Sequence, residues 1–354
     1  MPTSFRQKLN SFKKPLSIGK LSLLTIGILL LLSGSFYLAQ PMPNSPTPEK
    51  ITEQPQQEIS MAIPKDTPDT EQLKQEISTT PKNMPDNDFS FAILGDTQRF
   101  EAKSVDGGLQ QAVASLKNKP ISFLVAVGDL LSSCDGEKKC ETNLTEWKDA
   151  LGPLFAHTYA VMGNHDRTGK EKADALWQRF FNFPKNGPTD SQGLVYSFDF
   201  NNSHFVFLNS EKPKEHHIDQ TQRDWLEADL AKNSQLHTFV FFHEPAYPTK
   251  SKIDSSLDSA KDDRNALWQI LERYHVDAVF SGHEHIQNHK KIGTVDQFIF
   301  GNTDSFDHEL PAPNPDEFSY AGKGFGLVSV STKGVQVEFF TTNGKLLQTI
   351  SLAK

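Results

Sequence analysis

The 354-residue sequence has little cysteine, no long hydrophobic run beyond residue 39, and fewer basic than acidic residues. Its two cysteines cannot build a disulfide framework or a cysteine-rich zinc module. Hydrophobic residues make up 36% of the chain, which excludes a polytopic membrane protein but is enough for a large core. The net charge of −8 disfavours a non-specific nucleic-acid binder, and we expect no nucleic-acid partner. Any metal must be held mainly by His, Asp, Asn or Gln.

The N-terminal segment has the pattern of a membrane anchor. Residues 1–20 contain five basic residues and no acidic one, and residues 21–39 carry no charge. As a helix, residues 21–39 would span about 29 Å, close to the roughly 30 Å hydrocarbon core of a bilayer. The preceding positive charge predicts a cytoplasmic N-terminus and a periplasmic or extracellular remainder. A cleaved signal peptide, which would make the protein secreted, is the alternative, although Tyr37 fits poorly three positions before a cut after Ala39.

Residues 40–87 contain nine of the 21 prolines and no aromatic residue. Such a segment cannot bury enough apolar surface to offset its ordering entropy, so we expect a disordered linker. The predicted organisation is a basic tail (1–20), a transmembrane signal-anchor helix (21–39), the linker (40–87) and one globular domain (88–354). Without the five basic residues of the tail, the exported part has 31 basic and 44 acidic residues, a net charge of −13.

The two cysteines, Cys134 and Cys140, are separated by five residues. In an exported chain this spacing favours a local disulfide. A thiolate pair on zinc is the alternative, but it lacks nearby partners of its own.

From residue 88 onward, short apolar strands alternate with amphipathic helices, which predicts an α/β fold. Residues 325–352 instead read as an antiparallel meander, so we expect mixed sheets. Five strands in succession end in polar residues, and ligands in such folds bind beyond the carboxyl ends of strands. These residues are Asp96, Thr97 and Gln98; Asp129; Asn164, His165 and Asp166; His243; and His283, Glu284 and His285.

These strand ends resemble the motifs of the calcineurin-like metallophosphoesterase superfamily, in its purple acid phosphatase and cyclic-nucleotide phosphodiesterase branch. The motifs that carry the resemblance are GDTQ (95–98), GD (128–129), GNHD (163–166), the strand-terminal His243, GHEH (282–285) and the helix QRDWLEADL (222–230). The resemblance implies a four-layer αββα sandwich of two mixed sheets with a dinuclear metal site at the carboxyl ends of the strands.

The resemblance also implies the ligands of two metal ions that share Asp129 as a bridge. The first ion would be bound by Asp96, Gln98, Asp129 and His285, and the second by Asp129, Asn164, His243 and His283. Gln98 departs from the commonest pattern, which has His there, and its amide oxygen is a weaker ligand. The tyrosine of purple acid phosphatases is absent, because Ser132 stands at its position, and Mn, Fe and Zn all remain open as the metal.

By the same resemblance, a hydroxide bridging the two metals hydrolyses a phosphate ester, with His165 as general acid and Asp166 orienting its ring. A turn or cap role is the alternative for Asp166, and Glu284 is expected to be an outward-facing spacer. The candidate substrate contacts are Arg99, Arg167, His216 and His217.

The sequence leaves the substrate open between small phosphomonoesters and phosphodiesters, nucleotides included, and it leaves the oligomeric state open. Two alternative functions also remain. One is a catalytically weak binding or receptor module in which Gln98 weakens the first metal site. The other is a nuclease of the same superfamily, which export and the charge of −13 disfavour.

Overall fold

The computed structural model describes residues 88–98, 107–305, 310–312 and 314–352. The predicted basic tail, membrane helix and linker lie outside these residues, and so does the candidate substrate contact Arg99. Among the helices that the structure describes, none combines the length and the apolar character needed to cross a bilayer.

The described chain forms two β-sheets, with strands numbered here in chain order. Sheet 1 consists of β1 (Phe89–Leu94), β2 (Phe123–Ala126), β3 (Thr158–Ala160), β11 (Gly324–Ser331), β12 (Gly334–Thr341) and β13 (Leu346–Leu352). Sheet 2 consists of β4 (Tyr196–Phe200), β5 (Ser203–Phe207), β6 (His237–Phe241), β7 (Ala278–Ser281), β8 (Gln287–Ile292), β9 (Val295–Phe300) and β10 (Phe318–Tyr320). The α-helices are α1 (Gly108–Leu116), α2 (Glu137–Leu151), α3 (Glu171–Phe180), α4 (Gln220–Leu230) and α5 (Lys261–Arg273).

Both sheets combine parallel and antiparallel strands. The order in sheet 1 is β13-β12-β11-β1-β2-β3, with β1, β2 and β3 parallel and the meander β11–β13 added antiparallel to β1. The order in sheet 2 is β10-β8-β9-β7-β6-β5-β4, with β5, β6, β7 and β9 parallel. The carboxyl ends of the parallel strands therefore meet at one edge of each sheet, where the polar motifs follow them.

Alternating side chains on the strands create the layers of the fold. Phe91 of β1 packs against Phe205, Phe239 and Phe280 of sheet 2, so the two sheets meet through an aromatic layer. The intervening residues of sheet 2, such as Val240, belong to a second cluster with the apolar faces of α4 and α5. Helices α1, α2 and α3 bury their apolar residues with sheet 1. This arrangement confirms the predicted α/β fold with two mixed sheets.

The hairpin of β8 and β9 was not predicted from the sequence. The sequence of β8, QNHKKI, contains only one apolar residue, yet its first four residues are buried. Polar contacts replace apolar packing there: Gln287 Nε2 donates to the carbonyl oxygens of Phe325 and Phe340, and His289 Nε2 lies 2.8 Å from Asp296 Oδ1. A strand that is buried through hydrogen bonds shows no hydrophobic alternation for a sequence pattern to detect.

Candidate metal centre

Sharp turns at the strand ends bring the polar motifs together. Asp96, Asp129 and His283 have positive φ angles of 54°, 51° and 67°, an unusual conformation for residues other than glycine. The neighbouring glycines leave room for the carboxylates: a Cβ on Gly163 would lie 2.3 Å from Asp129 Oδ1, and one on Gly282 would lie 2.4 Å from Asp96 Oδ2. The glycines of the GNHD and GHEH motifs are therefore required for close packing around the two aspartates.

Four residues of the predicted second metal site lie together. Asp129, His243 and His283 are buried, and their candidate ligand atoms all lie within 4.8 Å of one another. Asn164 Oδ1 completes the group, at 3.2 Å from His243 Nε2 and 3.0 Å from His283 Nδ1. A carboxylate, an amide oxygen and two imidazoles form a donor set that suits a borderline divalent cation.

Backbone carbonyl groups fix the orientation of both histidine rings. His243 Nδ1 lies 2.8 Å from the carbonyl oxygen of Val127, and His283 Nε2 lies 2.8 Å from that of Ser255. Each ring thus donates its N–H away from the centre and leaves the other nitrogen, Nε2 of His243 and Nδ1 of His283, facing Asn164. Such hydrogen bonds are the usual means by which proteins orient metal-binding histidines.

The residues of the predicted first metal site are also adjacent. Asp96 Oδ1 lies 3.3 Å from His285 Nε2, and Gln98 Nε2 lies 3.2 Å from the same nitrogen and 3.4 Å from Asp129 Oδ2. Gln98 Oε1 is buried and has no hydrogen-bond partner among the described residues. The oxygen and the nitrogen of a glutamine amide are told apart by their hydrogen-bond contacts. If the Gln98 amide is rotated by half a turn, Oε1 takes the place of Nε2 and faces Asp129 and His285. The site therefore fits a cation that would satisfy the orphaned oxygen.

The buried charges of the centre shift one another's pKa values. Burial raises the pKa of Asp96. Burial acts the same way on Asp129, but the attraction of His243 outweighs it and lowers the pKa of Asp129. Burial disfavours a charged His243, yet Asp129 raises its pKa overall, whereas burial and repulsion from His243 lower the pKa of His283. The lowered pKa of His283 favours the neutral imidazole, which is the form in which a histidine binds a metal.

His165 contacts the predicted ligand Asp129 through its backbone, whereas its ring contacts a backbone carbonyl group. Its backbone N–H donates to Asp129 Oδ1 at 2.9 Å, and its Nδ1 lies 2.8 Å from the carbonyl oxygen of Ser132. Ser132, rather than an acidic side chain, therefore orients the imidazole, and Nε2 is left as the nitrogen available to a substrate.

The prediction that Asp166 orients His165 is wrong. The Asp166 carboxylate is buried and accepts hydrogen bonds from the backbone N–H groups of Leu130, Leu131 and Gly163. Burial and repulsion from Asp129 raise the pKa of Asp166 to about 7 despite these three donors. Asp166 thus ties two strand-end loops together, as in the turn or cap role considered above.

The expectation that Glu284 is an outward-facing spacer is also wrong. Its side chain is fully buried and accepts hydrogen bonds from the segment that begins at Thr249. The residue between the two predicted ligands His283 and His285 has no sequence signal of its own. Only the fold shows that the Glu284 side chain points inward.

The described candidate substrate contacts are all engaged by protein groups. Arg167 forms an ion pair with Asp174 at 2.8 Å and donates to the carbonyl oxygen of Glu211. His216 Nδ1 lies 2.8 Å from Glu244, and His217 Nδ1 lies 2.7 Å from Asp263. These contacts support structural roles, because each of the three side chains already has an acidic partner.

Two supports of the site connect helix α2 to the strand-end loops. Cys134 and Cys140 form the predicted disulfide, which links the loop after β2 to α2. Trp147 of α2 donates from Nε1 to Thr97 Oγ1 at 3.0 Å, and this hydroxyl donates to the carbonyl oxygen of Leu130. The Trp147 contact was not predicted, because a tryptophan on an amphipathic helix gives no specific signal for such a hydrogen bond.

A buried pair of carboxyl groups, Glu211 and Glu244, was also missed. Both side chains are fully buried, and Glu244 directly follows the predicted ligand His243. Burial raises the pKa of Glu211, and burial raises the pKa of Glu244 to about 8. His216 Nδ1 lies 2.8 Å from both oxygens of Glu244, so the segment that carries Glu211 and His216 contacts the strand end at His243.

Comparison with known proteins assigns the fold and the motifs to one family. Residues 89–287, more than half of the chain, match the calcineurin-like phosphoesterase family. Purple acid phosphatase 21 of Arabidopsis thaliana is 34% identical over 222 residues, which are 58% of this chain and 45% of that protein. The serine/threonine-protein phosphatase CPPED1 of Danio rerio is 31% identical over 181 residues, 49% of this chain and 57% of that protein.

A solved structure gives the same fold. The purple acid phosphatase PPD1 of yellow lupin (Lupinus luteus) seeds matches with a TM-score of 0.63 at 17% sequence identity, over 75% of this chain and 54% of that one. The matched region spans about half the length of the curated relatives, at 45% and 57%.

Proposed function

The chain belongs to the calcineurin-like phosphoesterase family, and on this premise we propose that it is a metal-dependent hydrolase of phosphate esters. The observation that carries the proposal is the convergence of Asp129, Asn164, His243 and His283 from four separate strand ends within contact distance. Stability alone does not favour three buried ionisable groups at one place, because each loses hydration on burial. Perturbed groups gathered in this way are typical of a functional site.

The residues would hold two transition-metal ions, with Mn, Fe and Zn all compatible with the donor set. We assign Asp96, Gln98, Asp129 and His285 to one ion and Asp129, Asn164, His243 and His283 to the other. When bound, such a pair of ions supplies an activated water and neutralises charge on the phosphoryl oxygens.

The protein's own contribution to catalysis comes from His165. The Ser132 carbonyl group accepts from Nδ1, so Nε2 remains for a substrate, and the backbone N–H of the same residue contacts Asp129. A cationic imidazole in this position can donate a hydrogen bond to the phosphate or a proton to the departing oxygen. Asp166 supports this indirectly, because it fixes the loops that carry Leu130 and Gly163.

We propose that the substrate is a small phosphomonoester or phosphodiester, with nucleotides included, and that hydrolysis occurs on the outer side of a membrane. The uncharged segment 21–39 after five basic residues supports an anchored or secreted location.

The test is hydrolysis by the purified full chain of a nitrophenyl phosphomonoester and a bis-nitrophenyl phosphodiester, with and without added Mn²⁺, alongside elemental analysis. We expect about two metals per chain and turnover that a chelator abolishes and metal restores. A chain that binds two metals but hydrolyses no member of a wider phosphoester panel would instead support a binding module on the same fold.

A further inference from the structure

The segment of residues 249–255 is attached to the metal centre at both of its ends. At the first end, Glu284 Oε2 accepts from the backbone N–H of Thr249 at 2.7 Å and from its hydroxyl at 2.9 Å. Glu284 Oε1 accepts from the backbone N–H of Lys250 at 2.8 Å. At the other end, the carbonyl oxygen of Ser255 lies 2.8 Å from His283 Nε2. Two consecutive residues of the GHEH motif therefore hold one loop.

The Glu284 side chain is placed by a tightly packed backbone. Its exposed fraction is 0%, and the Gly301 backbone packs so closely that a Cβ on Gly301 would lie 2.1 Å from the Glu284 carbonyl oxygen. A buried carboxylate with three donors at 2.7–2.9 Å forms strong, directional hydrogen bonds. The Glu284 backbone is thus held against Gly301, and its side chain is held by hydrogen bonds to Thr249 and Lys250.

We propose that Glu284 is a positioning residue, which fixes the segment of residues 249–255 against His283 so that the segment forms one wall of the metal centre. That a phosphate ester faces this wall rests on the proposed function. The wall carries the basic residues Lys250 and Lys252. Releasing the wall should therefore weaken binding of an anionic substrate more than it slows the chemical step.

The variant Glu284→Gln tests this with almost no change in volume. Each of the two carboxylate oxygens of Glu284 accepts from a backbone N–H group. In a glutamine one of these oxygens is replaced by an NH₂ group, which would face the N–H of Thr249 or Lys250 as a second donor. A matched control is Glu338→Gln on β12, which removes the same charge from a partly exposed position. Thr249→Val removes only the hydroxyl contact and should act in the same direction with a smaller effect.

The first measurement is amide hydrogen exchange in the full chain, which requires no turnover. We expect exchange in residues 249–255 to become roughly tenfold faster or more in Glu284→Gln and to stay unchanged in Glu338→Gln, because hydrogen bonds to a charged group are lost. In the double variant that combines Glu284→Gln with Thr249→Val, the exchange rate should change by less than the sum of the two single effects, because both substitutions remove the same contact. Unchanged exchange in Glu284→Gln would overturn the proposal.

The second measurement is the division of the effect between KM and kcat, together with metal content. We expect a KM several-fold higher, a smaller change in kcat and about two metals still bound. Loss of metal in Glu284→Gln would show that Glu284 acts on the ligand histidines and would overturn the role assigned to the segment. If the wild-type chain hydrolyses no phosphate ester, the proposed function fails, while the exchange measurement still decides whether Glu284 holds the segment.

Discussion

His165 and Asp166 are neighbours in the chain, but their side chains serve different purposes. The His165 ring is oriented by the Ser132 carbonyl group and belongs to the open part of the site. The Asp166 carboxylate is buried among backbone N–H groups of two loops. Substitutions at these two positions should therefore have separable effects on turnover, on metal content and on stability.

Replacing His165 by alanine should lower turnover without removing metal. The backbone N–H that donates to Asp129 remains in His165→Ala, so about two metals should stay bound, as elemental analysis would measure. Turnover of an alkyl phosphate should fall on the order of 10² to 10⁴-fold if a general acid is lost. The fall should be smaller for a nitrophenyl ester, whose leaving group needs little protonation. Asp129→Asn is the contrasting variant and should lose both metal and activity. Equal losses on the two esters would argue against proton donation by His165.

Replacing Asp166 by alanine should destabilise the fold. Three buried N–H groups would lose their acceptor, and we expect the free energy of unfolding to fall by about 3 kcal/mol or more. Urea denaturation of Asp166→Ala beside His165→Ala provides the measurement and its control. A stable Asp166→Ala that binds metal but turns over slowly would restore the catalytic role that the structure argues against.

The sequence predicted which residues would meet, but not what each would contact. Asp96 and Asp129 follow neighbouring parallel strands of sheet 1, so the strand pattern predicts that they lie at a common edge. His243 follows a strand of sheet 2, and its place beside them was implied by the family resemblance. The partners of Asp166 and Glu284 are backbone N–H groups of distant loops. Every residue except proline offers such a donor, so no residue type in the sequence marks the partner.

Some strands and helices are attached to one another by polar contacts, which the pattern of apolar residues in the sequence does not predict. The hairpin of β8 and β9 is one case, and His204 is another. His204 of β5 lies between two carboxylates, with Nδ1 at 2.6 Å from Asp199 of β4 and Nε2 at 2.9 Å from Asp229 of α4. One imidazole thus connects an edge strand of sheet 2 to the helix that covers it.

The contact of His204 should make stability depend on pH. Burial alone would lower the pKa of His204, but the hydrogen bonds that the ring donates to Asp229 and Asp199 raise it overall. Stabilisation by the charged ring is therefore complete below the ordinary histidine pKa of roughly 6.5 and is lost as pH rises through the raised value.

We expect the difference in melting temperature between the wild type and His204→Gln to be largest near pH 6 and to shrink in alkaline buffer. The exposed His157 provides the control, because His157→Gln should give a small difference at every pH. A His204→Gln difference that grows with pH would contradict the assignment.

For the whole molecule, the composition of residues 40–87 predicts a tether that proteases cut. Limited proteolysis of the full chain should release a stable fragment that begins near Asp88, where β1 starts in the middle of sheet 1. That fragment should keep the melting temperature and the specific activity of the intact chain, as calorimetry and a phosphoester assay would measure. Loss of activity on cleavage would show that residues before 88 contribute to the site.

The left-handed backbone at Asp96, Asp129 and His283 has a consequence for how this protein tolerates heat. Each such residue costs of order 1–3 kcal/mol relative to an unstrained conformation. The buried carboxylates of Asp96 and Asp129 also repel each other. Metal that binds only the folded chain should offset these costs, by about 2.7 kcal/mol at a concentration 100 times its dissociation constant. The melting temperature should accordingly rise with added Mn²⁺ and fall with a chelator, and Asp129→Asn should abolish this dependence. If the protein were selected for heat resistance in the presence of a chelator, we expect Asp96, Asp129 and His283 to be substituted first. Such variants would gain thermal stability and lose catalysis.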